Sequence, residues 1–174
     1  MLALAVALPL FSYAQDDLVK KLENNKSDSA KKKFTFTETL NVERTSVKNQ
    51  ASSGTCWSYS TNSFLESEMI RMGKKPVDLA ELFTARHVYL DKADNYVRMH
   101  GAVSWGDGGE CHDVINMYRK YGAVPQSVYT GLQYGTTKNK FGEMQGILKA
   151  MLDVVVSNPN KKLTPKWKEA FRAV

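Results

Sequence analysis

The fourteen residues Val47-Lys48-Asn49-Gln50-Ala51-Ser52-Ser53-Gly54-Thr55-Cys56-Trp57-Ser58-Tyr59-Ser60 constrain this chain more than any other stretch. Small residues up to Thr55 spell a loop, and the apolar spacing that follows spells a helix, so Cys56 stands where one becomes the other. The pattern predicts a helix over 57–72, with Leu65, Met69 and Met72 on one stripe, Trp57 and Phe64 on a neighbouring one, and Thr55 as its cap. A cysteine in a first turn sits beside unpaired backbone N–H groups and the positive end of the helix dipole. Both favour thiolate over thiol, which makes the sulfur a nucleophile near neutral pH. Attack on a carbonyl creates an oxyanion that needs donors already aimed at it. The Cys56 backbone N–H is one candidate, and the side-chain amide of Gln50, folded back over the loop, is the other. The competing reading of Cys56 is a small buried hydrophobe; Gln50, Gly54, Trp57 and a later Gly-Gly, all in order, weigh against it.

These residues resemble a known signature. Papain and the cathepsins carry C-G-[SA]-C-[WY] around the nucleophile, and the aligned residues here are Ser53-Gly54-Thr55-Cys56-Trp57, with departures at the first and third positions. The wider string is similar to the papain superfamily, and more closely to its bleomycin hydrolase or aminopeptidase C branch. Secreted papain-like enzymes join the first cysteine of the signature to one just before an Asn-Gly-Gly; the matching positions here are Ser53 and Gly106, so both halves of that bridge are absent together. Trp105-Gly106-Asp107-Gly108-Gly109 and Tyr118-Arg119-Lys120-Tyr121-Gly122-Ala123-Val124-Pro125 also resemble that branch. The resemblance covers about residues 34–131. It implies an α+β, papain-like fold with mostly the helical half present and the β-rich half largely missing. It also implies Cys56 as nucleophile, Gln50 in the oxyanion hole, and Trp57, Gly108 and Gly109 along the substrate cleft, with Gly109 pairing with the peptide backbone. No cofactor and no metal is called for.

With 174 residues and 43% hydrophobic content the chain can bury a core, as one domain or part of one. The net charge of +6 comes from dispersed lysines, dense only at Lys31-Lys32-Lys33. No stacking-aromatic motif, zinc-ligand set or phosphate loop accompanies that run, which argues against nucleic acid as a partner. Residues 1–14 form an apolar run closed by Ser12-Tyr13-Ala14, which reads as a secretory signal cleaved after Ala14. It lacks a preceding lysine or arginine, so the N-terminus is expected to be incomplete or its start misassigned. The run is too short to span a bilayer, so no stable membrane insertion is expected once it is removed; a buried first helix is the competing reading. Export to the periplasm or outside the cell permits disulfides, and Cys56 and Cys111 leave two arrangements open: a bridge between them, or two thiols with Cys111 partly buried.

Residues 15–33 read as a polar linker or arm, and 34–174 as the N-terminal part of the peptidase domain. Phe34-Thr35-Phe36-Thr37 alternates like a short strand. Gly73 and Lys74-Lys75-Pro76 end the first helix. A second is expected from Asp78 to about Ala93, burying Leu79, Leu82, Phe83, Arg86 and Leu90, with His87 structural. Glycines and small polar residues make 99–110 a loop. Helices are expected over 112–121, with Val114, Ile115, Met117, Tyr118 and Tyr121 inward, over about 141–157, and over 165–173.

A cysteine nucleophile needs a histidine for proton transfer and an asparagine to orient it. In papain relatives these follow the cysteine by about 130 to 150 residues, which falls at roughly residue 186 or later. His87, His100 and His112 match none of those positions. The expectation is therefore the N-terminal part of a longer cysteine peptidase, an aminopeptidase by resemblance, acting on peptides through a thiol acyl-enzyme and inactive as this piece alone. The branch also implies a homo-hexamer of the full-length protein. The alternative is a non-catalytic peptide-binding module using the same cleft.

Overall fold

The computed structural model describes residues 37–132, 135–159 and 162–174. The signal and linker readings of 1–14 and 15–33, and Phe34 to Phe36 of the expected strand, lie outside these residues; Thr37 belongs to no regular element. The chain divides into two compact units at Asn41/Val42, and everything below concerns the unit Val42–Val174.

Five helices build it: α1 (Cys56–Arg71), α2 (Glu81–Arg98), α3 (Cys111–Tyr121), α4 (Gly142–Val156) and α5 (Lys166–Ala173). The first three pack on one another, α4 lies on α2, and α5 lies on α4. Among the described residues there is no strand, only isolated bridges between Ser52 and Lys140 and between Leu79 and Pro125. This helical arrangement is compatible with part of a papain-like fold.

Two apolar clusters hold the unit together. Trp57, Leu82, Ala85, Val88, Val114 and Met117 join α1, α2 and α3. Tyr89, Ala93, Tyr96, Leu148, Leu152 and Phe171 join α2, α4 and α5. Trp105 is set edge-on to Tyr89, Tyr96 and Phe171, with ring centroids 5.5, 6.4 and 5.8 Å away, the geometry in which ring edges meet ring faces favourably.

Four helices, α1, α3, α4 and α5, match their expected bounds within about a residue, and α3 is marked at both ends. Asp113 reaches back to the Glu110 backbone N–H at the start of α3, and Gly122 ends that helix at φ 81°. Helix α1 differs from the expectation in its inward face, and α2 in its start and its inward face.

Helix α1 does not bury its Leu65/Met69/Met72 stripe. Met72 and Phe64 are exposed, and the buried residues are Trp57, Ser58, Thr61, Asn62 and Glu66. Ser58, Asn62 and Glu66 can face inward because each finds a partner. Ser58 Oγ donates to the Glu81 carbonyl (2.8 Å), Asn62 Nδ2 donates to the Ser58 carbonyl (2.8 Å), and the Tyr118 hydroxyl donates to Asn62 Oδ1. Thr55 is buried but makes no side-chain cap; its hydroxyl pairs with Ser53 Oγ at 2.7 Å, and its carbonyl accepts from Ser58 N–H.

Helix α2 begins at Glu81 rather than Asp78. The backbone of 78–80 is taken up by another segment, since Gln126 N–H donates to the Asp78 carbonyl and Ala80 N–H to the Val124 carbonyl, both at 2.8 Å. The later start also changes the inward face. Arg86 is exposed, and Ala85, Val88, Tyr89, Ala93 and Tyr96 are buried.

Candidate active site

Cys56 is the first residue of α1 and is exposed, as is Cys111; both are free thiols, which removes the bridge between them. Cys111 is therefore more open than the sequence suggested, lying at the start of α3. The loop before Cys56 is fixed from three sides.

On the first side, the loop is closed on itself. Gln50 Nε2 donates to the Ser53 carbonyl (2.7 Å), and Ser53 Oγ donates back to the Gln50 carbonyl (2.8 Å). The expected fold-back of Gln50 over the small residues is thus present, with one amide N–H engaged and the second left on the same nitrogen. Ala51 takes φ 51° between them, a left-handed conformation that a non-glycine residue adopts at a cost of about 1 kcal/mol. Asn139 adds a remote tether: its Nδ2 donates to the Gln50 carbonyl (3.2 Å) and to the Tyr59 hydroxyl (3.0 Å).

On the second side, the glycine loop is attached directly to the nucleophile turn. The Gly54 backbone N–H donates to the Asp107 carboxylate, and the Trp57 indole N–H donates to the Asp107 carbonyl (2.9 Å). A Cβ on Gly109 would lie 2.6 Å from the Trp57 ring, so the glycine is required by the close approach of the indole face. Gly108 has open space beside it. Trp57, Gly108 and Gly109 are thus brought together beside the turn that presents Cys56.

On the third side lies an ionic cluster in which Glu66 and Glu81 are buried and Asp78 is exposed. Lys48 Nζ reaches Glu66 (3.1 Å), Glu81 (2.6 Å) and Asp78, and Glu66 also accepts from the Thr45 hydroxyl and from Leu79 N–H (2.7 Å). Burial alone would lower the Lys48 ammonium, but hydrogen bonds to Asp78, Glu81 and Glu66 outweigh it and hold the group well above the usual lysine range. Burial raises the Glu81 carboxyl, with Lys48 opposing. The three carboxylates are close enough together to hold a metal ion, but a lysine side chain already supplies their cation.

The three histidines are engaged elsewhere or turned outward. His87 lies between the Phe83 and Tyr121 rings, at 4.4 and 4.1 Å, with Nδ1 against the Phe83 carbonyl (2.8 Å). His112 is exposed beside Asp113, and His100 is exposed at the end of α2. Among the described residues, no hydrogen bond joins any of them to Cys56.

Sequence reading missed Lys48, Asp107, Asn139 and Lys92, whose ammonium bonds the glycine loop. Asp107 carried the best signal, because it sits inside the Gly-rich string. Lys48 and Lys92 looked like ordinary surface lysines, and Asn139 is remote in sequence.

No family model matches the chain. It is similar to the protein named cysteine proteinase 1, mitochondrial, of Saccharomyces cerevisiae, with the same score in strains YJM789, AWRI1631 and ATCC 204508 / S288c. Identity is 26% over 144 residues, which is 73% of this chain and 29% of each relative, so the chain spans under a third of their length. Over most of its length the chain is thus similar to a cysteine proteinase, which supports the resemblance its motifs carry to the bleomycin hydrolase / aminopeptidase C branch.

Proposed function

We propose that the chain carries the nucleophile half of a cysteine peptidase, with Cys56 forming the acyl-enzyme and an aminopeptidase as the activity of the whole protein. The observation that supports this most directly is an exposed thiol in the first turn of α1, on a loop pinned by Gln50, Asp107 and Trp57 beside an open glycine edge. In this reading the Cys56 thiolate attacks the peptide carbonyl carbon. Electrons move to the oxygen, and the oxyanion takes hydrogen bonds from the Cys56 backbone N–H and the second Gln50 amide N–H. Collapse forms the thioester and expels the amine, which takes a proton from an acid; water then releases the acid product and regenerates the thiol. We assign that proton donor to a histidine of the whole protein outside these 174 residues, since His87, His100 and His112 are placed elsewhere. We also propose export with cleavage after Ala14, on the strength of the apolar run ending there; Met1 retained on the exported protein would remove the cleavage, and protein confined to the cytoplasm would remove export.

The test pairs a peptidyl epoxide with a fluorogenic aminoacyl substrate. The epoxide should modify Cys56 and spare Cys111, and Cys56→Ser should abolish labelling. The 174-residue chain should label without turning over the substrate. In the whole protein, Gln50→Ala should lower turnover about a hundredfold, the usual loss for one oxyanion donor. Reversible peptide binding with no modification of Cys56 would instead favour a peptide-binding module.

A further inference from the structure

The glycine loop at 106–109 is held by two charged side chains from two directions. Lys92, on α2, donates from Nζ to the Gly106 carbonyl (3.0 Å) and to the Gly108 carbonyl. Asp107, between those glycines, accepts from Gly54 N–H with its carboxylate and from the Trp57 indole with its carbonyl. Lys92 is half-buried, and the loss of water lowers its ammonium, opposed by Asp113 and Asp107, so its hydrogen bonds to carbonyl oxygens replace a hydration shell.

Peptide planarity turns this anchorage into aim. In a trans peptide the C=O and the following N–H point in opposite directions. Capture of the Gly108 carbonyl by Lys92 therefore turns the Gly109 N–H away from α2, and among the described residues that N–H has no acceptor. Asp107 fixes the other coordinate. It bonds the residue two before Cys56 and the residue just after it, so the loop cannot slide along the nucleophile turn while both bonds last.

We propose that Lys92 and Asp107 are positioning residues: Lys92 orients the Gly108–Gly109 peptide toward an extended substrate backbone, and Asp107 keeps that edge in register with the Cys56 thiol. This rests on the peptidase reading of Cys56. Neither side chain takes part in the chemistry, so their loss should weaken recognition of a peptide and leave the reactivity of the sulfur in place.

The experiment compares two electrophiles on the 174-residue chain, with the site of modification read by mass spectrometry. Iodoacetamide reports the thiol alone, whereas a dipeptidyl epoxide also reports the backbone edge. Asp107→Ala and Lys92→Met should each slow epoxide labelling about tenfold, the scale of one lost charge-assisted hydrogen bond, through a weaker inhibition constant rather than a slower inactivation step. Iodoacetamide labelling should change less than about twofold. Asp107→Asn should restore most of the epoxide rate, because its amide oxygen can still accept from Gly54 N–H. Hydrogen exchange on the same proteins reads the tie directly: amides of 52–56 and 105–110 should exchange faster together in both variants, with α4 and α5 unchanged.

Epoxide and iodoacetamide rates falling in parallel would overturn the inference, as would variants that label like the parent or leave exchange in both segments unaltered. If the unmodified chain labels Cys56 with iodoacetamide but never with the epoxide, the peptidase reading fails and the substrate role fails with it. The exchange data then still decide whether Lys92 and Asp107 join the two loops.

Discussion

The two ends of the Val42–Val174 unit both pack apolar side chains on α2, but only the α1 end adds a buried, directional polar set to that packing. Around α1, the buried polar residues are Ser58, Thr61, Asn62 and Glu66, of which Ser58 bonds Glu81, Asn62 bonds Tyr118, and Glu66 bonds Lys48 and Leu79. Around α4 and α5, the core is Tyr89, Tyr96, Leu148, Leu152 and Phe171 with Trp105 set among them. Apolar burial is non-directional and accepts substitutes of similar volume. Hydrogen-bonded charges fix angles as well as distances, and they leave large penalties when one partner goes. The end that must present a thiol in a set orientation adds the directional kind to its apolar packing, and the end that supports α2 relies mainly on packing.

The largest effect should come from the ionic cluster. Lys48→Met removes the cation facing Glu66 and Glu81 and should cost about 3 kcal/mol or more in urea unfolding at neutral pH, since two buried carboxylates are then unpaired. The deficit has a pH dependence. Burial raises the Glu81 carboxyl, so this group favours the folded state at low pH, and that contribution is lost as pH rises through its folded value. Without Lys48 the rise is larger, so the gap between variant and parent should narrow as pH falls toward the carboxylate range. A gap that stays constant with pH would mean the cluster acts by packing alone.

The apolar end should respond to volume rather than chemistry. Leu152, fully buried, should lose about 3 kcal/mol on Leu152→Ala, whereas Leu152→Met should cost less than about 1.5 kcal/mol by the same unfolding measurement. Equal losses for the two substitutions would break the contrast between the ends. The smallest effect belongs to the outward face of α1. Phe64→Ser and Met72→Ser should each change stability by no more than about 0.5 kcal/mol, because those side chains are 62% and 64% exposed.

The same contrast explains what could be read from the sequence. Breakers and apolar spacing announce α3, α4 and α5, because capping and burial are local or periodic. The position of Cys56 at a loop–helix junction was legible, as was the return of the Gln50 amide over its loop. The inward face of α1 was not, because Ser58, Asn62 and Glu66 read as solvent-facing until their partners on other segments, 13 to 56 residues away in sequence, are known. The start of α2 was misplaced for a similar reason: the segment at 124–126 claims the backbone that local preference assigned to the helix. Periodicity finds what is held by burial, and it misses what is held by distant polar pairs.

The tether at Asn139 has a consequence in time. Ser52 N–H donates to the Asn139 carbonyl, Phe141 N–H donates to the Ser52 carbonyl, and the Asn139 side chain reaches the Gln50 carbonyl, all at 3.1 to 3.2 Å and all closing a loop of almost ninety residues. Such contacts form late, because the entropy of closure must be met before they reward it. On the ribosome, Gln50 emerges well before its anchor does. The thiol is therefore made long before it is aimed, and a nascent chain shorter than residue 139 carries Cys56 without a fully fixed oxyanion loop.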